Sequence, residues 1–252
     1  MAYEQTNAKI LKNNITINFG DNVYSTSEII NSYPWALVGV EAKATFNGTT
    51  GGIDTYTNIN KSQFNGMNCY SQSVTVGKTG TAEGTPTGTL VINGGTYLSP
   101  ASVVYVAKGV CVINGGFFFG QPDSSQNAKY PEEIEKYGPK RNFSLNCWDA
   151  NYKNGNARIY VTGGKFVGFD PADNYAEDKN TNFVVSGYKS ILNGEEYTYM
   201  VKDTNRADNG TLDTLPVYEV VPADDPREGI AGTLTLPAEF QATPEVTEEP
   251  GE

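Results

Sequence analysis

The chain of 252 residues contains no histidine. That absence excludes Ser-His-Asp and Cys-His nucleophile chemistry and the usual zinc sites, which need an imidazole as base or ligand. Cysteine is scarce as well. Cys69, Cys111 and Cys147 are odd in number and stand at neither metal-ligand nor close-pairing spacing. Such a set speaks against a disulfide framework and reads as three buried free thiols. Cys147, beside Trp148-Asp149, has no neighbouring base to activate it. No apolar run nears the roughly 18 residues that a membrane span needs, so membrane insertion is not expected. Met1-Ala2-Tyr3-Glu4-Gln5-Thr6 lacks the basic and apolar regions of a signal peptide. Helical periodicity is nearly missing. Its best stretch is Pro131–Tyr137, opened by proline and closed by Gly138.

Basic residues are few: 18 Lys and Arg against 29 Asp and Glu give a net charge of −11. Most of the excess lies between Val221 and Glu252, where eight acids face Arg227 alone. The remaining body shows no basic stripe, so nucleic acid is not an expected partner. The densest acidic cluster of the body, Asp170, Asp173, Glu177 and Asp178, reads as a solvated loop bounded by Pro171 and Asn174 ahead of a cation site or catalysis. Polysaccharide-cleaving enzymes need convergent carboxylates, or Ca²⁺ carboxylates with an Arg or Lys base. No such set stands out, so no catalytic residue, cofactor or metal is assigned.

Glycine and aromatics are plentiful instead, with 27 Gly, 16 Tyr and 11 Phe. They fall into a repeated phrase: Leu90-Val91-Ile92-Asn93-Gly94-Gly95-Thr96-Tyr97, then Cys111-Val112-Ile113-Asn114-Gly115-Gly116-Phe117-Phe118, then Ile159-Tyr160-Val161-Thr162-Gly163-Gly164-Lys165-Phe166. A β-branched strand, a polar residue, two glycines and another apolar strand describe one coil of a stack whose unit cannot bury its apolar face alone. Asn-Gly between apolar runs is also a hairpin signal. A single hairpin, however, would not need the same phrase three times. The expected fold is all-β: a short right-handed parallel β-helix with an N-terminal lead-in, a C-terminal β-hairpin cap and an extended acidic tail. Ile92, Ile113 and Val161 form its expected core ladder. Asn93, Gly94, Gly95, Asn114, Gly115, Gly116, Gly163 and Gly164 are its expected corner turns.

The expected divisions are a lead-in at 1–33, a body at 34–202 and an arm at 203–252. The lead-in carries a short helix at Ser25–Asn31, and Trp35–Phe46 reads as the first body strand. The body includes an excursion at 121–156 and a hairpin cap at 183–201, turning at Asn193-Gly194. The arm holds five of the 13 prolines, from Pro222 onward. Its island at Gly232–Leu236 is expected to pair with the edge of a neighbouring subunit. Ile10, Leu11, Leu234, Leu236 and Phe240 are the candidate assembly contacts. Tyr97, Tyr130 and Trp148 are read as stacking within the solenoid or between subunits, ahead of stacking on sugar rings.

The stretch Gly163-Gly164-Lys165-Phe166-Val167-Gly168-Phe169-Asp170-Pro171-Ala172-Asp173-Asn174, followed by Glu177, Asn180-Thr181-Asn182-Phe183-Val184 and Gly187-Tyr188, resembles the closing segment of short β-helix fibre and spike proteins of gut bacteriophages and their prophages. The Asn-Gly-Gly coils resemble them more loosely, and residues 1–80 and the acidic tail do not. The resemblance implies a non-enzymatic virion structural protein, typically a homotrimer; the missing signal peptide and the free thiols add the expectation that it is made in the host cytoplasm. Its implied partners are a capsid or tail protein and, as a candidate, a host surface glycan. Head or tail location is not implied. The alternative is a polysaccharide-binding or polysaccharide-degrading β-helix protein, an adhesin or depolymerase. Those would be expected to carry a secretion signal or a catalytic acidic groove.

Overall fold

Val, Ile, Leu and aromatic residues that alternate over four or five positions favour half-buried strands, and the Gly-Gly pairs between them favour sharp corners. The computed structural model describes residues 9–22, 24–26, 36–57, 72–100, 102–127, 131–137, 140–141, 144–201 and 211–241. Fifteen of its strands fall to three parallel sheets in strict rotation. The first sheet takes β1 (Lys9–Leu11), β4 (Ala36–Val40), β7 (Gln72–Val76), β10 (Val104–Val106) and β15 (Leu145–Cys147). The second takes β2 (Ile15–Asn18), β5 (Lys43–Asn47), β8 (Gly88–Ile92), β11 (Gly109–Ile113) and β16 (Ala157–Val161). The third takes β3 (Tyr24–Thr26), β6 (Gly52–Asp54), β9 (Thr96–Ser99), β12 (Phe117–Gly120) and β17 (Gly164–Val167). Each consecutive set of three strands is one rung, and the described residues form five rungs. The protein is all-β with parallel sheets.

In-register parallel pairing places equivalent residues one strand spacing apart, about 4.8 Å. Ile17, Phe46, Ile92, Ile113 and Val161 are successive register partners, and the last four are fully buried. A second column runs Ile15, Ala44, Leu90, Cys111 and Ile159. In the third sheet the rings of Tyr97, Phe118 and Phe166 stack nearly parallel, at 5.2 and 4.9 Å between centroids. The strand spacing thus sets the ring spacing. The corners need both glycines, for different reasons. A Cβ on Gly94 or Gly163 would lie 2.3 Å from a carbonyl oxygen of the preceding rung, whereas Gly95, Gly116 and Gly164 adopt φ of +103°, +120° and +111°.

The structure revises several sequence expectations. Strands β1, β2 and β3 of the lead-in form the first rung; of the helix expected at Ser25–Asn31, Ser25 and Thr26 lie in strand β3, and the rest lies outside the described residues. The described part of Trp35–Phe46, from Ala36 on, divides into β4 and β5, because Glu41-Ala42 turns a corner between them. The excursion is shorter than expected. It comprises β13 (Asp123–Asn127), α1 (Pro131–Tyr137) and β14 (Lys140–Arg141), after which β15 resumes the ladder and α2 (Asp149–Lys153) follows. The first two of the described rungs lack the paired-glycine corner phrase that marks the last three, so the sequence did not signal them.

Asn193-Gly194 is a bulge, not the hairpin turn. It lies inside the long strand β18 (Tyr188–Met200), which pairs antiparallel with β19 (Leu212–Pro222). The register jumps from Leu192–Tyr218 to Glu196–Pro216, and the Asn193 carboxamide accepts from the Glu195 amide at 2.8 Å. Pro216 has no N–H to donate, so the ladder is already interrupted where the extra residues sit. β19 also pairs with β17, extending the third sheet. Residues 211–241 therefore pack on their own chain and are not a free arm. β20 (Ile230–Ala231) pairs with β18, and Leu234 bridges Val185 in parallel. The strand pairing foreseen for Gly232–Leu236 on a neighbour is made at home. Among the described residues no helix is long and apolar enough to cross a membrane.

Candidate functional site

The polar stretch after Phe169 was expected to be solvated, yet Asp170, Asn174 and Glu177 are buried. Its side chains satisfy its own backbone, which allows a polar segment to leave water. Asp170 accepts from the Ala172 amide at 2.9 Å. Asn174 donates to the carbonyls of Asp170, Pro171 and Thr181 at 3.1, 3.3 and 2.9 Å and accepts from the Ala176 amide at 3.1 Å. The loop then closes the stack. Phe169, Ala172, Ala176, Phe183 and Val184 join the core over the last rung. Phe183 and Val185 exchange backbone hydrogen bonds with Val161 at 2.9 and 3.0 Å. The Glu177 carboxylate accepts from the Cys147 amide at 2.5 Å, standing where the carbonyl of a sixth rung would be.

Beside this cap lies a groove of about 320 Å³, bounded by α2, β16, the cap and Leu234. Its apolar lining includes Ile159, Phe183 and Leu234. Arg158 is held in place there: Nη1 donates to the carbonyls of Tyr152 and Ala157 at 2.5 and 2.8 Å, and the guanidinium lies 4.8 Å over the Tyr152 ring. Lys153 and the carboxylates of Asp149, Glu177 and Asp178 complete the polar lining. Arg158 and Glu177 are fixed by hydrogen bonds, while Asp149, Lys153 and Asp178 are exposed, so the groove sets charged groups of both signs beside an apolar wall.

The nearby thiols are not poised as nucleophiles. Burial holds Cys111 protonated. Burial, reinforced by the charge of Glu177, also raises the Cys147 thiol well above its ordinary value. Burial likewise raises the Tyr152 phenol. Among the described residues no three acidic or thiol side chains converge as a metal-ligand set.

The sequence-assigned residues separate by role. Ile92, Ile113 and Val161 share one buried column. The corner asparagines form a ladder: Asn114 donates to Asn93 at 2.9 Å, Asn93 to Asn47 at 2.8 Å and Asn47 to Asn18 at 2.8 Å, while the Thr162 hydroxyl donates to Asn114 at 2.7 Å. Asn18, Asn47 and Thr162 escaped the sequence reading. The available signal was a polar residue directly after an apolar strand, as in Ile17-Asn18 and Phe46-Asn47.

Among the assembly candidates, the Ile10 backbone pairs with Gly39 in the first sheet, and Leu11 packs against the core. Leu234, Leu236 and Phe240 are half-buried on their own chain. Tyr97 is fully buried in its ring stack, and Trp148 is half-buried. Cys69 and Tyr130 lie outside the described residues. Comparison with protein-family models, with curated proteins and with solved structures found no match.

Proposed function

We propose that this chain is a short right-handed parallel β-helix and serves as a non-enzymatic structural protein of a virus particle, of the fibre or spike type. The observation that carries the reading is the rotation of fifteen strands through three sheets with constant register between rungs. That arrangement supports a rigid rod whose length grows by adding rungs. The buried ring stack and the corner asparagine ladder support a scaffolding role, since their side chains are engaged with one another. The groove beside Arg158 favours a second role on the same scaffold, contact with a host surface glycan.

The test is quantitative mass spectrometry of purified particles from the source host. A fixed copy number per particle is the expected result. Absence from the particle, with the protein secreted free, overturns the structural reading in favour of an adhesin or depolymerase.

A further inference from the structure

The two ends of the stack differ. At the last rung, the core is covered by the chain's own residues 169–185. At the first rung, β1, β2 and β3 are the terminal strands of all three sheets, and no described strand lies beyond them. Ile15 occupies an inward column position equivalent to Leu90 and Ile159, which are fully buried, yet it is 41% exposed. The backbone shows the same incompleteness. In β8 the amide of Asn93 donates back to the Phe46 carbonyl of the preceding rung at 2.8 Å. The equivalent residue in β2 is Asn18, and alternation gives Thr16 the same direction. Both therefore present N–H and C=O outward. The asparagine ladder ends there too: each Nδ2 donates towards the first rung, and that of Asn18 has no acceptor among the described residues.

We infer that the first-rung end is an interface with a second copy of this chain, related by a two-fold axis through β2. Head-to-tail stacking is blocked, because the other end is capped and its third sheet is continued by β19 and β18. A head-to-head two-fold runs β2 antiparallel to the second copy's β2 and sets β1 against the second copy's β3, so all three edges without a partner among the described residues close together. Centred on Thr16, it faces Ile15 with the second copy's Ile17 and Asn18 with the second copy's Asn14. It also brings Lys12, at the start of one strand, near Asp21, beyond the end of the other. The assembly is closed at two chains, since each distal end is capped. This inference rests on the stacked rungs and not on the particle assignment. The homotrimer expected from the sequence is a different assembly with a different mass.

The test is sedimentation of the full chain across a range of concentrations. The expected species has twice the 27.3 kDa chain mass. Thr16→Pro removes an outward amide without touching a bond to β5, and proline is tolerated at an edge whose N–H faces away from the sheet. It is expected to sediment as a single chain, with slow hydrogen exchange retained in β8 and β11. Ile15→Lys, which leaves the backbone intact, is expected to dissociate the dimer as well and to speed exchange at Thr16 and Asn18. A single-chain mass for the unaltered protein at every concentration overturns the inference. So does a three-chain mass, or an unchanged double mass in both variants.

Discussion

Ile15 and Ile159 stand in the same column of the same sheet, are the same residue, and differ completely in exposure: 41% against 0%. Local sequence does not separate them. The difference is what lies above each. Over Ile159 the chain continues into a cap whose polar groups bond inward, while no described strand lies over Ile15. A stacked-rung protein therefore has a uniform middle and two ends that must each be solved separately, because every rung leaves an apolar surface and a row of backbone groups for the next. Here one end is closed by residues 169–185, and the proposed two-fold would close the other.

The contrast is broken most severely at the cap. Phe183 is fully buried over the last rung, and its carbonyl holds the Val161 amide. Phe183→Ala is expected to lower stability by about 3–5 kcal/mol, the usual range for a buried aromatic. Hydrogen exchange should speed first in β16 and β15. If exchange rises evenly over all rungs, the cap is not a separate closing element.

Within the ladder, position should decide the cost of an identical change. Ile113→Ala removes packing on both sides, between Ile92 and Val161, and is expected to lower stability by about 2–5 kcal/mol. Ile15→Ala, made in the Thr16→Pro background so that the end stays open, is expected to lower it by about 1 kcal/mol, since much of that side chain never leaves water. Urea unfolding measures both. Equal losses would mean that the first rung is covered after all.

The thiols allow the interior to be probed by pH. Cys111 and Cys147 both have folded-state pKa values above their ordinary value of 9.0, chiefly through burial. A thiol whose folded pKa is raised contributes its full stability below the unfolded pKa. That contribution is lost as pH rises towards the folded value, because the unfolded state releases its proton first. Stability should be flat up to about pH 8.5 and then fall by up to about 1.4 kcal/mol per pH unit for each thiol. Replacing both cysteines with alanine should flatten that limb, whatever the loss at neutral pH. A limb unchanged in the double variant would assign the alkaline loss to tyrosines such as Tyr97, whose phenol is also raised by burial.

The parts legible in the sequence were those that repeat. The third to fifth rungs announce themselves through Asn93-Gly94-Gly95, Asn114-Gly115-Gly116 and Gly163-Gly164, because the same corner imposes the same two backbone demands each time. The first two rungs meet their corner with Phe19 and with Gly48-Thr49, so the phrase dissolves although the register persists. The helix at Pro131–Tyr137 was legible from its end signals. The cap was not. Polarity in Asp170–Asn182 signals solvation on average, and nothing local reveals that Asn174 bonds three carbonyls of its own loop or that Glu177 meets Cys147 thirty residues away. The Asn193-Gly194 pair failed for a related reason: the dipeptide fits a bulge as well as a turn, and the choice was made by Pro216 on a strand far along the chain. The groove beside Arg158 is likewise assembled from four separate segments, none of which carries a motif.

The smallest expected effect lies on the outside of the stack, in the asparagine ladder. Asn93 makes two side-chain hydrogen bonds, donating to Asn47 and accepting from Asn114, whereas Asn18 makes one, accepting from Asn47. These bonds are exposed, so each exchanges with water and contributes about 0.5–1 kcal/mol, the lower part of the usual range. Asn93→Ala should therefore lower stability by about 1–2 kcal/mol, and Asn18→Ala in the Thr16→Pro background by about half as much. The denaturant midpoint should move while the slope stays constant, because no apolar surface is newly exposed. In the dimeric protein the ranking should narrow or reverse, since Asn18 then gains an acceptor on the second copy's Asn14. Equal effects of the two substitutions in the single-chain background would show that the ladder does not end at Asn18.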